Sequence, residues 1–157
     1  YKLTPNFLNV EKQILWMQTE SKREAFWLFQ KDEKYYMTYD GPGGWMGSDC
    51  YYRTADKLEG PWTEEQEIGM IPEPENRKQR SHASQHRYIL NIDGQWIYGG
   101  DRYPYQEPES HPPKNGLHII CPIVWDGDKP YVIWEEEWDI SNYDSTRKAM
   151  QKGHLNR

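Results

Sequence analysis

Slid against itself by 61 positions, the chain lays Glu24 on Gln85, Phe29 on Leu90, Lys34 on Gln95, Tyr35-Tyr36 on Trp96-Ile97 and Asp40 on Asp101. Each copy runs polar residue, apolar strand, polar turn, aromatic strand, acidic residue and Gly- or Pro-rich loop, with two further strands following. Four antiparallel strands recurring at about fifty to sixty residues bury their faces only against neighbouring units, which is what a β-propeller blade requires. The expected fold is therefore all-β, a β-propeller segment of about two complete four-stranded blades plus outer strands of a preceding one. The divisions are 1–20 for those outer strands, 21–80 and 81–140 for the blades, and 141–157 for a tail. A propeller closes with at least about four blades, so either N-terminal blades outside these residues or a second chain is expected to complete the ring. A self-sufficient β-sandwich of two similar halves is the alternative.

The local signals agree with this period. Short runs rich in aromatic and β-branched residues predict strands at 26–29, 35–39, 50–53, 88–92, 95–98, 117–124 and 130–134. Turn chemistry separates them at Lys31-Asp32-Glu33, the Gly-rich 40–44, Leu58 to Pro61, Asn91 to Gly94 and Asp126-Gly127-Asp128. Helical candidates are confined to Val10–Met17, which is ambiguous, and the polar segment 145–157.

Composition narrows the function. With 157 residues, 36% of them hydrophobic, the chain supports one domain with a real core. A formal charge of −6 and the lack of any Lys/Arg run longer than Lys22-Arg23 or Arg77-Lys78 argue against nucleic acid as a partner. No stretch approaches the roughly 18 apolar residues of a membrane span. The chain begins at Tyr1, so a cleaved leader or a missing N-terminal part is expected. Cys50 and Cys121 define neither a disulfide framework nor a metal set and are expected as buried free thiols. The 8 Trp and 12 Tyr against 3 Phe favour rings with a polar tip or a broad flat face, suited equally to sugar stacking and to an amphipathic core.

The first strand of a propeller blade lines the central channel, and Glu24 and Gln85 hold the same position at the start of such strands. They are expected to face one pocket, with Asp40 and Asp101 as equivalent acids at the ends of the second strands, where a carboxylate also serves to cap a turn. The stretch SHASQHRYIL (81–90) sets Ser84, Gln85, His86 and Arg87 directly before an apolar run, which suits a strand entering from a polar site. His82 and His86 flank Gln85, but no third ligand has suitable spacing, so no metal site is expected there. The Pro-rich segment from Tyr103 to Asn115 is expected as a long surface loop.

Three stretches carry a resemblance. REAFWLFQKDEKYYMTYDGPGGWMGSDCYYRTADKLEGPW (23–62), ASQHRYILNIDGQWIYGGDRY (83–103) and ICPIVWDGDKPYVIWEEEW (120–138) resemble, in this order and spacing, segments of glycoside hydrolase family 43, in its exo-β-1,3-galactanase-like branch. The resemblance implies a five-bladed propeller of which this chain is the later part. It implies an inverting, exo-acting hydrolase of β-galactan-like or related plant polysaccharide, secreted or periplasmic, with a polysaccharide or oligosaccharide as partner. By the same resemblance Glu24 is the general acid, kept protonated by partial burial beside Phe26, Trp27 and neighbouring acids, and Gln85 lies near the anomeric carbon and orients water. Trp45 is then the stacking floor for a galactose-like ring, Ser84 lies beside Gln85 in the substrate pocket, and Asp101 and Arg102 form a charge-assisted pair behind it. No cofactor is expected; a Ca2+ ion in the propeller channel is common in the family, without a motif for it here. The sequence departs from the family pattern at Phe26, where a Pro is usual, and at His86, where a small hydroxyl residue is usual. The Asp base and the Asp that tunes the acid, which the family carries in early blades, have no counterpart in these residues. A non-catalytic carbohydrate-binding or structural propeller segment, and a protein-interaction scaffold, are the competing expectations.

Overall fold

A computed structural model describes residues 1–17, 22–43, 47–75, 80–102, 116–141 and 143–144. Among these the regular structure is strand: β1 (Lys2–Leu3), β2 (Val10–Lys12), β3 (Glu24–Lys31), β4 (Lys34–Asp40), β5 (Cys50–Ala55), β6 (Gln66–Glu67), β7 (Gly69–Ile71), β8 (Gln85–Ile92), β9 (Gln95–Arg102), β10 (Leu117–Asp126) and β11 (Lys129–Ile133). The described residues are all-β, and their strands form three sheets, ordered β1-β2, β3-β4-β5-β6 and β7-β11-β10-β9-β8.

The tight turns explain the hairpins. Asp32 and Glu33 both have positive φ (49° and 64°), as do Asp93 and Gly94 (51° and 90°), which is the two-residue geometry whose twist matches that of the flanking strands. The ladders above these turns repeat pair for pair. Trp27↔Thr38, Leu28↔Met37 and Phe29↔Tyr36 in the first hairpin correspond to Tyr88↔Gly99, Ile89↔Tyr98 and Leu90↔Ile97 in the second, each 61 positions later. In the third strand the offset grows to 68, since Asp40 pairs with Cys50 but Asp101 pairs with His118.

The core lies where the two large sheets meet. Tyr36, Cys50, Tyr52, Ile68, Met70, Ile89, Tyr98, Cys121, Ile123 and Val132 are buried there. Around them Phe29 stacks on Tyr36 (5.1 Å) and meets Trp96 (5.2 Å), which meets Trp125 edge-on (5.6 Å). Rings dominate because they cover the wide gap between twisted sheets and bring about 0.5–1.5 kcal/mol per pair beyond their buried area. Trp27 ties the sheets directly, its indole N–H donating to the Ile89 carbonyl across 2.8 Å.

Two features depart from the sequence expectation. The chain leaves the first sheet at Ile68, and β7 then runs parallel to β11 as the far edge of the second sheet, with Val132 opposite Met70 and Ile133 opposite Ile71. The ambiguous segment 10–17 is not helical: Val10 pairs with Leu3 in β2, a Lys2–Glu11 ion pair (2.8 Å) braces the hairpin, and no regular structure follows through Met17. The other helical candidate, 145–157, lies outside the described residues.

Candidate functional site

The beginnings of β3, β5, β8 and β10 and the ends of β4 and β9 lie at one end of the two large sheets, because neighbouring strands are antiparallel. At this end Glu24 faces Asp40 across the first ladder and Gln85 faces Asp101 across the second. Just inside, the edge strands β3 and β8 each carry a bulge, between Glu24 and Trp27 and between His86 and Tyr88. A bulge re-aims the side chains next to it and is over-represented beside functional sites. In the first, Ala25 is held at φ 52°, a conformation that costs a non-glycine residue about 1–2 kcal/mol.

His86 joins the two bulges. Its Nδ1–H donates to the Ala25 carbonyl (3.1 Å), so its Nε2 accepts from the Thr38 hydroxyl (2.9 Å). The ring is 1% exposed, and burial pushes its pKa down to about 4, so the imidazole is a neutral structural strut. The His86 backbone N–H donates to Asp40 Oδ2 (2.9 Å), which also accepts from Ser48 Oγ (2.9 Å). Asp40 is 1% exposed, and its other oxygen has no partner. Burial first, offset by its two hydrogen bonds, and then the nearby Glu24 charge raise its pKa to about 7.

The turn leading into Gln85 is left-handed over three successive non-glycine residues, Ser81 (φ 51°), His82 (φ 55°) and Ala83 (φ 59°). Such a run persists only where its surroundings over-determine it. Here Ser84 N–H and Ser84 Oγ both donate to the Ser81 carbonyl (3.2 and 2.5 Å), and Ser81 Oγ donates to the Ser48 carbonyl (2.5 Å). Arg102 clamps the turn from the far side by donating twice to the His82 carbonyl (3.1 and 2.5 Å) while its guanidinium lies 4.4 Å over Trp134.

The expected site residues are distributed accordingly. Glu24 is exposed, and Phe26 beside it is 53% exposed, so the partial burial expected for Glu24 is not found; the bulge turns this end of β3 outward. Gln85 is half-buried at the start of β8, next to the His86–Ala25 link. Ser84 is 1% exposed, with its hydroxyl spent on Ser81 and on Tyr98 OH (3.0 Å), so it supports the backbone from within. Asp101 and Arg102, as strand neighbours, point to opposite faces: Asp101 meets Arg87 (3.1 Å) and His118 (2.7 Å), whereas Arg102 holds the His82 turn. Trp45 lies outside the described residues; a pocket at this end of the first sheet is lined by Arg23, Gly41, Gly47, Asp49, Tyr51 and Arg80. Arg23 is held there by a bidentate pair with Glu65 (3.0 and 2.5 Å) and stacks 4.4 Å over Tyr51.

Among the described residues no cluster of three or more His, Cys, Asp or Glu could hold a metal ion. The residues that sequence reasoning passed over are Thr38 and Ser48, which complete the network around Asp40 and His86; only the equivalence of Asp40 with Asp101 pointed toward them.

A family model described as Domain of unknown function (DUF5005) matches residues 8–98, which include the first hairpin and nearly all of the second. The chain belongs to this family. No curated protein matches the DUF5005 chain. Among solved structures its fold is similar to that of an exo-β-1,3-galactanase from Clostridium thermocellum, at 21% identity and a TM-score of 0.67 over 84% of this chain and 28% of that one. It is also similar to an exo-β-1,3-galactanase from Phanerochaete chrysosporium with galactose, at 23% identity and a TM-score of 0.65 over 83% of this chain and 28% of the other. A GH43 β-1,3-galactosidase matches at 21% identity and a TM-score of 0.67 over 92% of this chain and 29% of its own. At these identities the likeness is one of fold. The DUF5005 chain spans under a third of the length of each of these structures.

Proposed function

We propose that these residues form two consecutive blades of a five-bladed propeller glycoside hydrolase, inverting and exo-acting, whose substrate is a β-1,3-galactan or a closely related plant polysaccharide. The observation that carries this reading is the hydrogen bond between His86 Nδ1 and the Ala25 carbonyl (3.1 Å), which links the residues immediately following Glu24 and Gln85. The identical register of the two hairpins and the likeness to galactanase folds support it. So do exposed apolar side chains on the strands, such as Phe26 (53%) and Leu28 (45%) on β3 and Leu117 (55%) and Ile120 (50%) on β10, since a blade packs on neighbours through its faces.

In this reading Glu24 protonates the departing glycosidic oxygen while a water attacks the anomeric carbon from the opposite face, inverting its configuration. Gln85 orients that water; a neutral amide is too weak a base to keep its proton, which the attacking water releases through neighbouring water to bulk solvent. Trp45 supplies the stacking surface, and Asp101 with Arg87 and His118 forms a polar wall at the neighbouring strand ends. Further blades, from the same polypeptide or a second chain, complete the channel, and the polymeric substrate calls for a secreted or periplasmic protein. Residues 1–20 belong to a preceding blade, 21–80 and 81–140 to the two blades, and 141–157 to a tail, with β7 of the first span paired into the second sheet.

The test is hydrolysis of β-1,3-linked galactose oligosaccharides by the native protein and by Glu24→Gln. We expect turnover to fall by about 10²- to 10⁴-fold, with sugar affinity held within about tenfold because the amide is isosteric. Undiminished turnover in the variant overturns the assignment. Saturable binding that depends on Trp45, with no hydrolysis by the native protein, would favour a carbohydrate-binding module instead.

A further inference from the structure

We propose that Asp40 is a positioning residue for this site: from inside the first hairpin it holds the backbone next to Gln85 and does so in response to the charge on Glu24. The proposal rests on the reading of Glu24 and Gln85 as the reacting pair.

Three observations lead to it. Asp40 sits directly opposite Glu24 at the last pair of the ladder. One of its oxygens grips the N–H of His86, the residue after Gln85, so the carboxyl of the first sheet holds the strand end of the second. Its other oxygen is buried and has no partner, an arrangement that costs stability and is uncommon in folded proteins. A capping role alone does not require a carboxyl here, because an amide or hydroxyl would also accept from Ser48 and His86 without burying a charge. Asp101, at the matching place in the second hairpin, is met by Arg87 and His118; both hydrogen-bond donors to Asp40 are neutral.

The titratable groups around Asp40 are Glu24 on β3, the Cys50 thiol on β5, the His86 ring on β8 and the Tyr98 phenol on β9. His86 stays neutral with its pKa near 4, and burial pushes the Cys50 thiol up to about 12 and Tyr98 well above the usual phenol range. Glu24 is the acidic neighbour whose charge acts on Asp40. A negative Glu24 favours the proton on Asp40, and a protonated Asp40 is a weaker acceptor for the His86 N–H than a carboxylate. The hold on the strand end beside Gln85 thus loosens when Glu24 is ionised and tightens when Glu24 carries its proton.

Two measurements decide the matter. Carboxyl-carbon NMR of the native protein should show Asp40 titrating near pH 7, and in Glu24→Gln its midpoint should fall. A midpoint that Glu24→Gln leaves in place overturns the proposal, and this readout needs no turnover. In the pH profile of hydrolysis, the native acid limb should carry the Asp40 ionisation. Asp40→Asn should lose that limb and run about fivefold below the native kcat on the alkaline side, with KM little changed; a profile identical to the native one also overturns the proposal. Should Asp40→Asn fail to fold, Ser48→Ala removes one bond to the carboxylate and should raise the Asp40 midpoint. A native protein that hydrolyses nothing counts against the reaction, whereas an unmoved midpoint counts against Asp40, so the two failures are separable.

Discussion

Asp40 and Asp101 occupy the same register position in two hairpins that match pair for pair, and their surroundings are opposite. Asp101 is partly exposed and bridged to Arg87 and His118, while Asp40 is sealed between the sheets with neutral donors only. The same contrast runs along both hairpins. Thr38 uses its hydroxyl to hold His86, whereas its counterpart Gly99 is bare because the ring of Tyr88 lies across it. Glu33 is forced to φ 64° at the turn where the second hairpin has Gly94 at φ 90°. Backbone register repeats because hydrogen bonding and period-two burial impose it on any sequence of this pattern. Chemistry does not repeat, because each side chain answers to what the neighbouring sheet places over it.

The comparison breaks most sharply in acid. The folded-state value of Asp40, about 7, lies above the roughly 4 of an unfolded carboxyl, so its contribution to stability is complete below about pH 4 and is lost as pH rises to about 7. His86 runs the other way: its folded value of about 4 lies below the ordinary 6.5 or so, and its contribution is lost as pH falls between those values. Over this window the two oppose one another in the native protein. In Asp40→Asn only His86 remains, and urea unfolding should show stability rising from pH 4 to 6.5 more than in the native chain, by on the order of 3 kcal/mol. Parallel curves for the two proteins would mean that Asp40 ionises as an ordinary carboxyl.

A smaller effect follows from making the hairpins alike. Gly99→Thr copies the first hairpin onto the second and drives a side chain into the Tyr88 ring; overpacking of this kind should cost about 2 kcal/mol in chemical denaturation. No loss would show that Tyr88 is free to swing away. Least of all, Glu33→Gly gives the first turn the residue its φ demands and should raise stability by about 0.5 kcal/mol, the relief of strain being partly offset by the freer unfolded chain. A lower melting temperature in that variant would point to a role for the Glu33 side chain.

Much of this architecture is legible along the chain. The predicted runs at 26–29, 35–39, 50–53, 88–92, 95–98, 117–124 and 130–134 fall on β3, β4, β5, β8, β9, β10 and β11, since alternation and turn residues are local properties. The left-handed run Ser81-His82-Ala83 could not be read, because no glycine marks it and its supports, Ser48 and Arg102, are distant in sequence. The burial of Ser84 and His86 was hidden for the same reason: both belong to a polar-looking stretch whose partners, Tyr98, Thr38 and Asp40, come from other strands. The strand starts were visible at Glu24 and Gln85; the network that holds them was not.

The transfer of β7 into the second sheet carries a consequence for biosynthesis. Ile71, the last residue of β7, pairs with Ile133, so an emerging polypeptide must grow by a further 62 residues before that pair can form. At about 5–20 residues per second, this is a wait of roughly 3 to 12 seconds. Throughout it Met70 and Ile71, both buried in the finished fold, stand at an open edge with nothing of their own to pair with. The far edge of the second sheet is thus completed only after nearly all of the strand-forming residues have been made.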